Sequence, residues 1–360
     1  MRQSAVLLIQ WGNVRITVLM GGTSSERDVS LASGLRIAEA LRSKGHQVRT
    51  VDTAKGAVSE ADEQRMLAGG VLKALPPTPD ELARMNAESL ADTAARLPKR
   101  GDCDVAFLAL HGGRGEDGTI QALLDLAGVP YTGSGHLASA LAMDKDLSKH
   151  LMRAQGVQTA DWQMATDPAE PVNADVIGQT LGWPVIVKPS KQGSTVGLSI
   201  VKVPSELSAA VTEAFKHDDE VMIEQFIAGR ELTVSILGGT ALPVGEIIAK
   251  KEIYDYECKY TPGMAVETFP AALSQGEAAA VQEQAKLTFA ALKLSGCARI
   301  DFRMTAAGQF YCLEANTLPG MTATSLVPQA AAAAGIAFPE LCERIAVLAA
   351  GPAATSHPGS

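Results

Sequence analysis

Residues 299–303, RIDFR, and residues 313–316, LEAN, are the two segments that decide the fold. The second ends an aliphatic and aromatic run typical of a β-strand, so Glu314 and Asn316 point to the same face. Asp301 can meet them from a neighbouring strand. Carboxylate and amide oxygens without His or Cys suit Mg²⁺, which usually binds through one or two carboxylates plus substrate phosphates. The pattern predicts a magnesium site beside a nucleotide; the alternative is that Asp301 and Glu314 are ordinary strand-end charges.

The composition is that of a packed globular protein with more than one domain. The chain has 360 residues, 46% of them hydrophobic, and exceeds the roughly 250 to 300 residues at which one core stops growing. Acidic residues number 40 against 31 basic ones, which gives a net charge of -9. This balance argues against a nucleic-acid surface, so we predict no nucleic-acid partner.

Cysteine usage and hydropathy bear on the compartment. The five cysteines, at positions 103, 258, 297, 312 and 342, include no C-x-x-C pair, which indicates reduced thiols and predicts a cytoplasmic protein. No stretch approaches the ~18 consecutive apolar residues of a membrane span, and residues 5–9 are too short for a secretory signal. We therefore predict no membrane partner.

Alternating extended and helical patterns divide the chain into units. Strand patterns near 14–20, 47–51 and 105–110, with helical patterns between them, predict an N-terminal parallel α/β domain whose ligand loops lie at the carboxyl ends of the strands. A two-part α+β module follows. The predicted units are an extra leader (1–13), the N-terminal α/β substrate-binding domain (14–134), a central subdomain (135–229), a C-terminal subdomain with the metal site (230–348) and a disordered tail (349–360).

Phosphate binding requires an unusual design here, since neither G-x-x-x-x-G-K-[ST] nor G-x-G-x-x-G after a strand is present. Lys188 ends the apolar strand pattern at 185–188, and the loop KQGSTVG at 191–197 has glycines that let backbone N–H groups approach an anion. The alternative is a plain hairpin. Residues 221–227, VMIEQFI, lead to Glu231, and this strand and turn could offer backbone groups to adenine and a carboxylate to the ribose hydroxyls. The alternative is an edge strand with a solvated Glu.

The order of these parts resembles the ATP-grasp superfamily, and five further motifs resemble the D-alanine:D-alanine ligase family. They are GGTSSERDVS (21–30), LHGGRGEDG (110–118), YTGS (131–134), YDYECKY (254–260) and EANTLPGMT (314–322). The resemblance runs from about residue 14 to residue 348 in the family's order. It departs at Cys258, where an Ala is usual, at the order of Gly113 and Arg114, which some members reverse, and at the leader.

The resemblance implies a fold and a reaction. The N-terminal domain would be a pre-ATP-grasp α/β domain and the rest a two-part α+β ATP-grasp module. ATP would phosphorylate the carboxylate of one D-alanine, and the amine of a second D-alanine would attack the acyl phosphate, releasing ADP and phosphate, for peptidoglycan precursor synthesis. ATP, two Mg²⁺ (or Mn²⁺), two D-alanine molecules and a homodimer are implied with it.

The resemblance also assigns roles to residues of this chain. The implied metal ligands are Asp301, Glu314 and Asn316. The implied ATP-binding residues are Lys145, Lys188, Ser194, Glu224, Phe226, Ile227, Glu231 and Lys259. The implied catalytic residues are Glu26, Ser194, Tyr260, Arg299 and Gly320. The implied substrate contacts are Glu26, His111, Tyr260, Arg299, Gly320, Ser325 and Leu326.

Four of these roles have plainer alternatives. Glu26 would pair with the ammonium of the first D-alanine, or only stabilise a helix N-terminus. Arg299 would face the carboxyl under attack, or form a structural salt bridge. The N–H of Gly320 would complete an oxyanion site, or Pro319 and Gly320 would form a plain turn. Ser325, with Leu326, would hold the second carboxylate, or only cap a helix.

A mobile loop is implied at residues 252–264, with Lys259 and Tyr260 reaching into the site to exclude water. Ser194 would hydrogen-bond Tyr260 and link the loop to Glu26. Tyr rather than Phe at position 260 favours the dipeptide over a D-lactate product. Two rival hypotheses are a related ligase that takes D-Ser or an L-amino acid second, and a nucleotide-binding regulatory protein without turnover. Intact charged residues from Arg299 to Asn316 argue against the second.

Overall fold

Three β-sheets organise the residues described by the computed structural model, which are 13–70, 90–250 and 264–350. Lys259, Tyr260 and the rest of the predicted mobile loop before Met264 lie outside the described residues, as do residues 1–12 of the predicted leader and 351–360 of the predicted tail.

The described residues form the following strands and helices. The strands are β1 (Arg15–Met20), β2 (Gln47–Asp52), β3 (Gly56–Val58), β4 (Val105–Leu108), β5 (Trp162–Ala165), β6 (Val185–Pro189), β7 (Ser199–Val201), β8 (Val221–Gln225), β9 (Arg230–Leu237), β10 (Thr240–Ala241), β11 (Gly245–Ala249), β12 (Ala265–Thr268), β13 (Cys297–Met304) and β14 (Phe310–Asn316). The helices are α1 (Arg27–Ser43), α2 (Glu60–Gly69), α3 (Leu90–Arg96), α4 (Thr119–Ala127), α5 (His136–Met143), α6 (Lys145–Ala154), α7 (Ala174–Thr180), α8 (Leu207–Ala214), α9 (Gln275–Ala291), α10 (Leu326–Ala333) and α11 (Phe338–Ala350).

The N-terminal sheet has the order β3-β2-β1-β4. Strand β1 pairs in parallel with β2 and β4, as the sequence predicts, and β3 adds an antiparallel edge. At the end of β1, Gly21 has a φ of 77°, and a Cβ there would lie 2.4 Å from Asp52 Oδ1, so only glycine fits this turn. The loops after β1 and β4 therefore leave the sheet at the same edge, where ligands bind in such folds.

The central sheet is antiparallel, with the order β5-β8-β6-β7. The strand predicted at 198–203 is shorter than expected because β6 pairs with it only over Val185–Val187. The helix predicted at 205–216 begins with a 3-10 turn at Pro204–Glu206, and its α-helical part spans Leu207–Ala214. Proline fixes its own φ and biases the preceding residue to an extended conformation, which places the change there.

The C-terminal sheet is antiparallel, with the order β12-β11-β9-β13-β14 and β10 paired to β9. Helix α9 covers one face and starts with a capping box between Ser274 and Glu277. It ends at Ala291 rather than at the predicted residue 294, since Lys293 takes a left-handed φ of 56°. Buried Ile300 and Phe302 place β13 at the centre of this core.

The last described helix, α11, lies against the first helix, α1. Leu341 and Ile345 share a buried core with Ile37 and Leu41. The same core contains Val18 of β1 and Leu237 of β9, so it joins the N-terminal sheet to the C-terminal sheet.

Among the described helices, none combines the length and the apolar run that crossing a membrane requires.

Candidate active site

The oxygen cluster predicted from sequence forms between β13 and β14. Asp301 lies opposite Glu314, and Arg299 lies opposite Asn316, just before a β-bulge that follows Asp301. Thr233 on the adjacent strand donates a hydrogen bond to Asp301 Oδ1 at 2.7 Å, and Asn316 Nδ2 donates to Asp301 Oδ2 at 3.1 Å. The three oxygen-bearing side chains therefore meet in one place.

The donor chemistry of this cluster fits Mg²⁺. Asn316 donates from its amide nitrogen to Asp301, which leaves its amide oxygen available as a metal ligand together with the two carboxylates. Within residues 13–70, 90–250 and 264–350, no group of three or more His, Cys, Asp or Glu side chains forms a metal cluster. The amide of Asn316 would supply the third protein oxygen, in keeping with the few protein ligands that Mg²⁺ uses.

Arg299 forms the salt bridge that the plainer alternative expected. Its Nε lies 2.9 Å from Asp301 Oδ1 and its second terminal nitrogen 2.8 Å from Oδ2, a fork-like contact. The guanidinium also lines the pocket between the central and C-terminal sheets. Arg299 is therefore a cation held rigidly at the cluster, and the salt bridge is compatible with a role in charge neutralisation.

A buried ionic group lies behind the lysine strand. Lys188 Nζ is 2.7 Å from Glu224 Oε2, and Lys149, which is fully buried, donates to Oε1. Burial acts to raise the pKa of Glu224, but the charges of Lys149 and Lys188 outweigh it and lower the pKa to about 2. Glu224 lies on interior strand β8, so the alternative of a solvated glutamate on an edge strand is wrong for this residue.

Sequence reasoning missed Lys149. It follows Lys145 by one helical turn on α6, and this i, i+4 spacing was the available signal. Lys145 itself donates from Nζ to the carbonyl oxygen of Gln192 at 2.6 Å and lies 3.4 Å from Glu314. It thereby connects the Gly/Ser loop to the oxygen cluster.

A pocket between the two antiparallel sheets brings most of the predicted nucleotide residues together. The predicted residues that line it are Lys145, Lys188, Ser194, Glu224, Phe226, Ile227, Glu231, Arg299, Asp301, Glu314 and Leu326. Sequence reasoning missed its apolar walls, which are Ile186, Leu198, Ile247 and Leu313. Glu231 pairs with Arg303 across the strands at 3.1 Å.

The Gly/Ser loop is a hairpin between β6 and β7, as the plain alternative expected, but its backbone is unusual. Ser194 and Thr195 have φ values of 52° and 60°, a region that non-glycine residues seldom adopt and that is frequent at functional sites. Ser194 Oγ donates to the carboxylate of Glu26. The loop is thus joined to the N-terminal domain.

A second pocket surrounds Glu26. Glu26 occupies the N-cap position of α1, and within the described structure its side chain makes no capping hydrogen bond. The loop after β1 and the loop after β4 line this pocket, which contains Glu26 and His111. Gln192, Gly193 and Val196 line both pockets, so the Gly/Ser loop separates the pocket between the two antiparallel sheets from the pocket around Glu26.

The His111 ring already has a partner on each nitrogen. Nδ1 is 2.8 Å from the carbonyl oxygen of Leu318, and Nε2 is 3.2 Å from Ser33 Oγ. Burial lowers the pKa of His111, which favours the neutral ring. A neutral ring with its hydrogen on Nδ1 donates to the Leu318 carbonyl and accepts from Ser33.

Gly320 and Ser325 lie in contact. A Cβ on Gly320 would lie 2.7 Å from Ser325 Oγ, so glycine allows the close approach. Ser325 Oγ accepts the N–H of Thr322 at 3.0 Å, and Ser325 also occupies the N-cap position of α10. Leu326 is buried against Ile247. Gly320 and Ser325 line neither pocket among the described residues, whereas Leu326 lines the pocket between the two antiparallel sheets.

Known proteins resemble this chain over nearly its whole length. The family model "D-ala D-ala ligase N-terminus" matches residues 15–134, and "D-ala D-ala ligase C-terminus" matches residues 151–347. A D-alanine–D-alanine ligase of Syntrophotalea carbinolica is 43% identical over 331 residues, covering 92% of this chain and 94% of the relative. One of Geobacter sulfurreducens is 41% identical over 336 residues, covering 93% of this chain and 94% of the relative.

A solved structure gives the same result. The crystal structure of D-alanine–D-alanine ligase from Bacillus anthracis complexed with ATP superposes with a TM-score of 0.72 at 34% identity, covering 94% of this chain and 97% of that chain. The two-domain match, the identity over most of the length and the shared fold lead to one conclusion. The chain belongs to the D-alanine–D-alanine ligase family.

Proposed function

We propose that this protein joins two D-alanine molecules at the expense of ATP, forming D-alanyl-D-alanine, ADP and phosphate through a D-alanyl phosphate, in the synthesis of peptidoglycan precursors. Family membership supports the proposal. The observation that carries it is the contact between Ser194 and Glu26, which joins two pockets, one with lysines and an oxygen cluster and the other with the Glu26 carboxylate.

The first pocket is suited to ATP, which the Bacillus anthracis relative binds in its crystal structure. Lys145 and Lys188 would neutralise phosphate oxygens, since phosphoryl transfer is promoted chiefly by positioning and charge stabilisation. Backbone groups of Glu224, Phe226 and Ile227 would bind adenine at the end of the strand. The carboxylate of Glu231 would bind the ribose hydroxyls. The apolar walls would enclose the base.

Asp301, Glu314 and Asn316 would hold Mg²⁺ at the phosphate end of this pocket. The ion supplies a Lewis acid that neutralises charge on the transferred phosphoryl group. That the active form carries two ions stays a prediction.

The second pocket would hold the first D-alanine. Its ammonium would pair with Glu26, and its carboxylate would face the Gly/Ser loop and the transferred phosphoryl group. A carboxylate oxygen then attacks the terminal phosphorus of ATP, and ADP leaves. The amine of the second D-alanine attacks the acyl carbon, the bond from carbon to the bridging oxygen breaks, and phosphate departs with that oxygen. The nitrogen gives up one proton in this step, to the departing phosphate or to solvent.

Charge on the acyl oxygen would be neutralised during this attack. Arg299 would supply a fixed cation and the N–H of Gly320 a hydrogen bond, the two components of an oxyanion site. Ser325 and Leu326 would hold the carboxylate of the second D-alanine, with His111 near the first. An α-amino group with a pKa near ~8 is partly neutral around pH 7, so a fraction of the amine has its lone pair free for attack without prior deprotonation by the protein.

Lys259 and Tyr260 lie outside the described residues, and their roles in closing the site over the acyl phosphate stay predictions. The homodimer, the cytoplasmic location and the domain boundaries at residues 134 and 229 stay predictions as well.

The test is phosphate release from ATP and Mg²⁺ with D-alanine, L-alanine, D-serine and D-lactate, singly and in pairs, with products identified by mass. We expect D-alanine alone to sustain turnover and D-alanyl-D-alanine to be the product, with little D-Ala-D-lactate at pH 7. Turnover only with another second substrate would assign a different ligase specificity. ATP binding without turnover in any combination would favour a regulatory protein.

A further inference from the structure

The turn at residues 318–321 is fastened to the N-terminal domain by the partly buried carboxylate of Glu116. Its Oε2 accepts the N–H of Gly112 at 2.8 Å, and its Oε1 accepts the N–H of Leu318 at 3.2 Å. Gly112 follows β4, and Leu318 follows β14, so one side chain spans two domains. An ionised carboxylate accepts strongly on both oxygens, whereas the hydroxyl oxygen of a protonated acid is a weaker acceptor and the nitrogen of an amide does not accept.

Two more side chains of the N-terminal domain hold the same turn. His111 Nδ1 donates to the carbonyl oxygen of Leu318 at 2.8 Å, and Ser33 Oγ accepts the N–H of Met321 at 3.2 Å. Ser33 also bonds to His111 Nε2 at 3.2 Å. The backbone groups on both sides of Gly320 are therefore fixed from the N-terminal domain.

We propose that Glu116 is a positioning residue that sets the place of the Gly320 N–H by anchoring Leu318 to the loop after β4. The inference rests on the proposed function, since it concerns the oxyanion donor of that reaction. In the described part of the chain Glu116 lines neither pocket, so it acts through the turn rather than on a substrate. A small displacement of such a donor is costly, because about 1 Å of misplacement can lower a rate about 10²-fold.

The charge of Glu116 is sensitive to pH near neutrality. Burial raises the pKa of Glu116 to about 7, and the negative charge of Glu26 adds to the rise. The two N–H groups and Arg299 oppose it. His111 also lies in this group of side chains, and burial favours its neutral form. As pH falls through about 7, Glu116 takes up a proton and one of its oxygens becomes a weaker acceptor, so the turn loosens on the acid side.

The test compares Glu116→Gln with the wild-type protein in full-length form, with ATP, Mg²⁺ and D-alanine, over a range of pH. Glutamine keeps the size of the side chain but accepts through its carbonyl oxygen only, and like the protonated acid it carries no negative charge. We expect kcat at pH 8 to fall about 10- to 100-fold with the KM for ATP changed by less than about twofold. We also expect the variant to lose the ionisation near pH 7 from its kcat profile.

Glu63→Gln is the matched control. Glu63 is a buried glutamate of the same domain, paired with Arg42 at 2.6 Å and with Thr50, and it lines neither pocket of the described structure. Its kcat per folded molecule should equal that of the wild type. Folded, ATP-competent molecules are counted by binding of a non-hydrolysable ATP analogue. If Glu116→Gln does not fold, Ser33→Ala tests the same turn from its other end, with an expected fall in kcat of about tenfold.

The outcomes separate this inference from the proposed function. No turnover by the wild-type protein removes the proposed function. Wild-type turnover together with an unchanged kcat and pH profile in Glu116→Gln overturns the inference alone. If that variant does not fold, an unchanged kcat in Ser33→Ala overturns it. A lower kcat that the Glu63→Gln control shares overturns it as well, because the effect would then follow from losing any buried carboxylate.

Discussion

Lys149 and Glu224 form a buried ion pair in which the lysine side chain is fully withdrawn from solvent. The ammonium group also lies 4.8 Å from the ring centre of Trp162, which adds a cation–π contact. Lys188 shares the same carboxylate at 2.7 Å. Glu224, predicted to bind ATP, and Lys188, predicted to bind phosphate, are thus held in one ionic group.

Removing Lys149 should destabilise the protein. Lys149→Met leaves Glu224 with one of its two cations, and breaking a buried pair costs about 3 to 5 kcal/mol of unfolding free energy. The measurement is urea unfolding followed by circular dichroism. Lys286→Met is the control, since Lys286 forms a partly exposed pair with Glu283 at 3.4 Å, and it should change stability by less than about 1 kcal/mol. Equal losses in both variants would contradict the importance of the buried group.

Acid should weaken the fold through Glu224. Its pKa is lowered from 4.5 to about 2, so the unfolded chain takes up the proton first as pH falls. The stabilisation is complete above about pH 5 and is lost towards pH 2, and it amounts to about 3 kcal/mol from this group. The measurement is unfolding free energy against pH for the wild type and for Glu224→Gln. The two curves should converge towards low pH, and parallel curves would count against this ion group.

The contact between Ser194 and Glu26 should matter for turnover. Ser194→Ala removes a hydrogen bond to a charged group, worth about 1.5 to 3 kcal/mol, so we expect kcat/KM for D-alanine to fall about 10- to 100-fold. Ser208→Ala, an exposed serine on α8 of the same subdomain, is the control. Steady-state kinetics at saturating ATP provides the measurement. Unchanged kinetics in Ser194→Ala would show that the two pockets work without this contact.

Gly320 should not accept a larger residue while Ser325 is present. The Cβ of Gly320→Ala would meet Ser325 Oγ at 2.7 Å and push the turn away. We expect kcat to fall about 10²-fold, as for loss of an oxyanion donor. Ser325→Ala removes the obstructing oxygen, so the double variant should have a kcat closer to that of Ser325→Ala alone. A double-mutant cycle measures this coupling, and strictly additive effects would rule out the steric explanation.

The oxygen cluster could be predicted from sequence because Glu314 and Asn316 are two residues apart on one strand and therefore point to the same face. The pairing of Asp301 with Glu314 could not, since alternation fixes the face of a strand but not the register with its neighbour. The salt bridge of Arg299 with Asp301 follows from the same-face spacing that the sequence shows.

Buried polar partners were the main omission. His111 and Leu318 are 207 positions apart, and Glu116 and Leu318 are 202 apart, so no local pattern connects them. For Lys149, the only indication in the sequence was its position one helical turn after Lys145. These contacts depend on how the sheets are placed against each other, which residue periodicity does not determine.

The most direct test of the central claim is transfer of oxygen from D-alanine to phosphate. D-alanine labelled with ¹⁸O in its carboxylate is incubated with the enzyme, ATP and Mg²⁺, and the ¹⁸O content of the released phosphate is measured by mass spectrometry. Asp301→Ala is the inactive control. If the carboxylate attacks ATP and the acyl phosphate then yields to the amine, each dipeptide formed leaves one ¹⁸O in phosphate. Phosphate without ¹⁸O, released in step with the dipeptide, would contradict the acyl phosphate and the roles assigned around it.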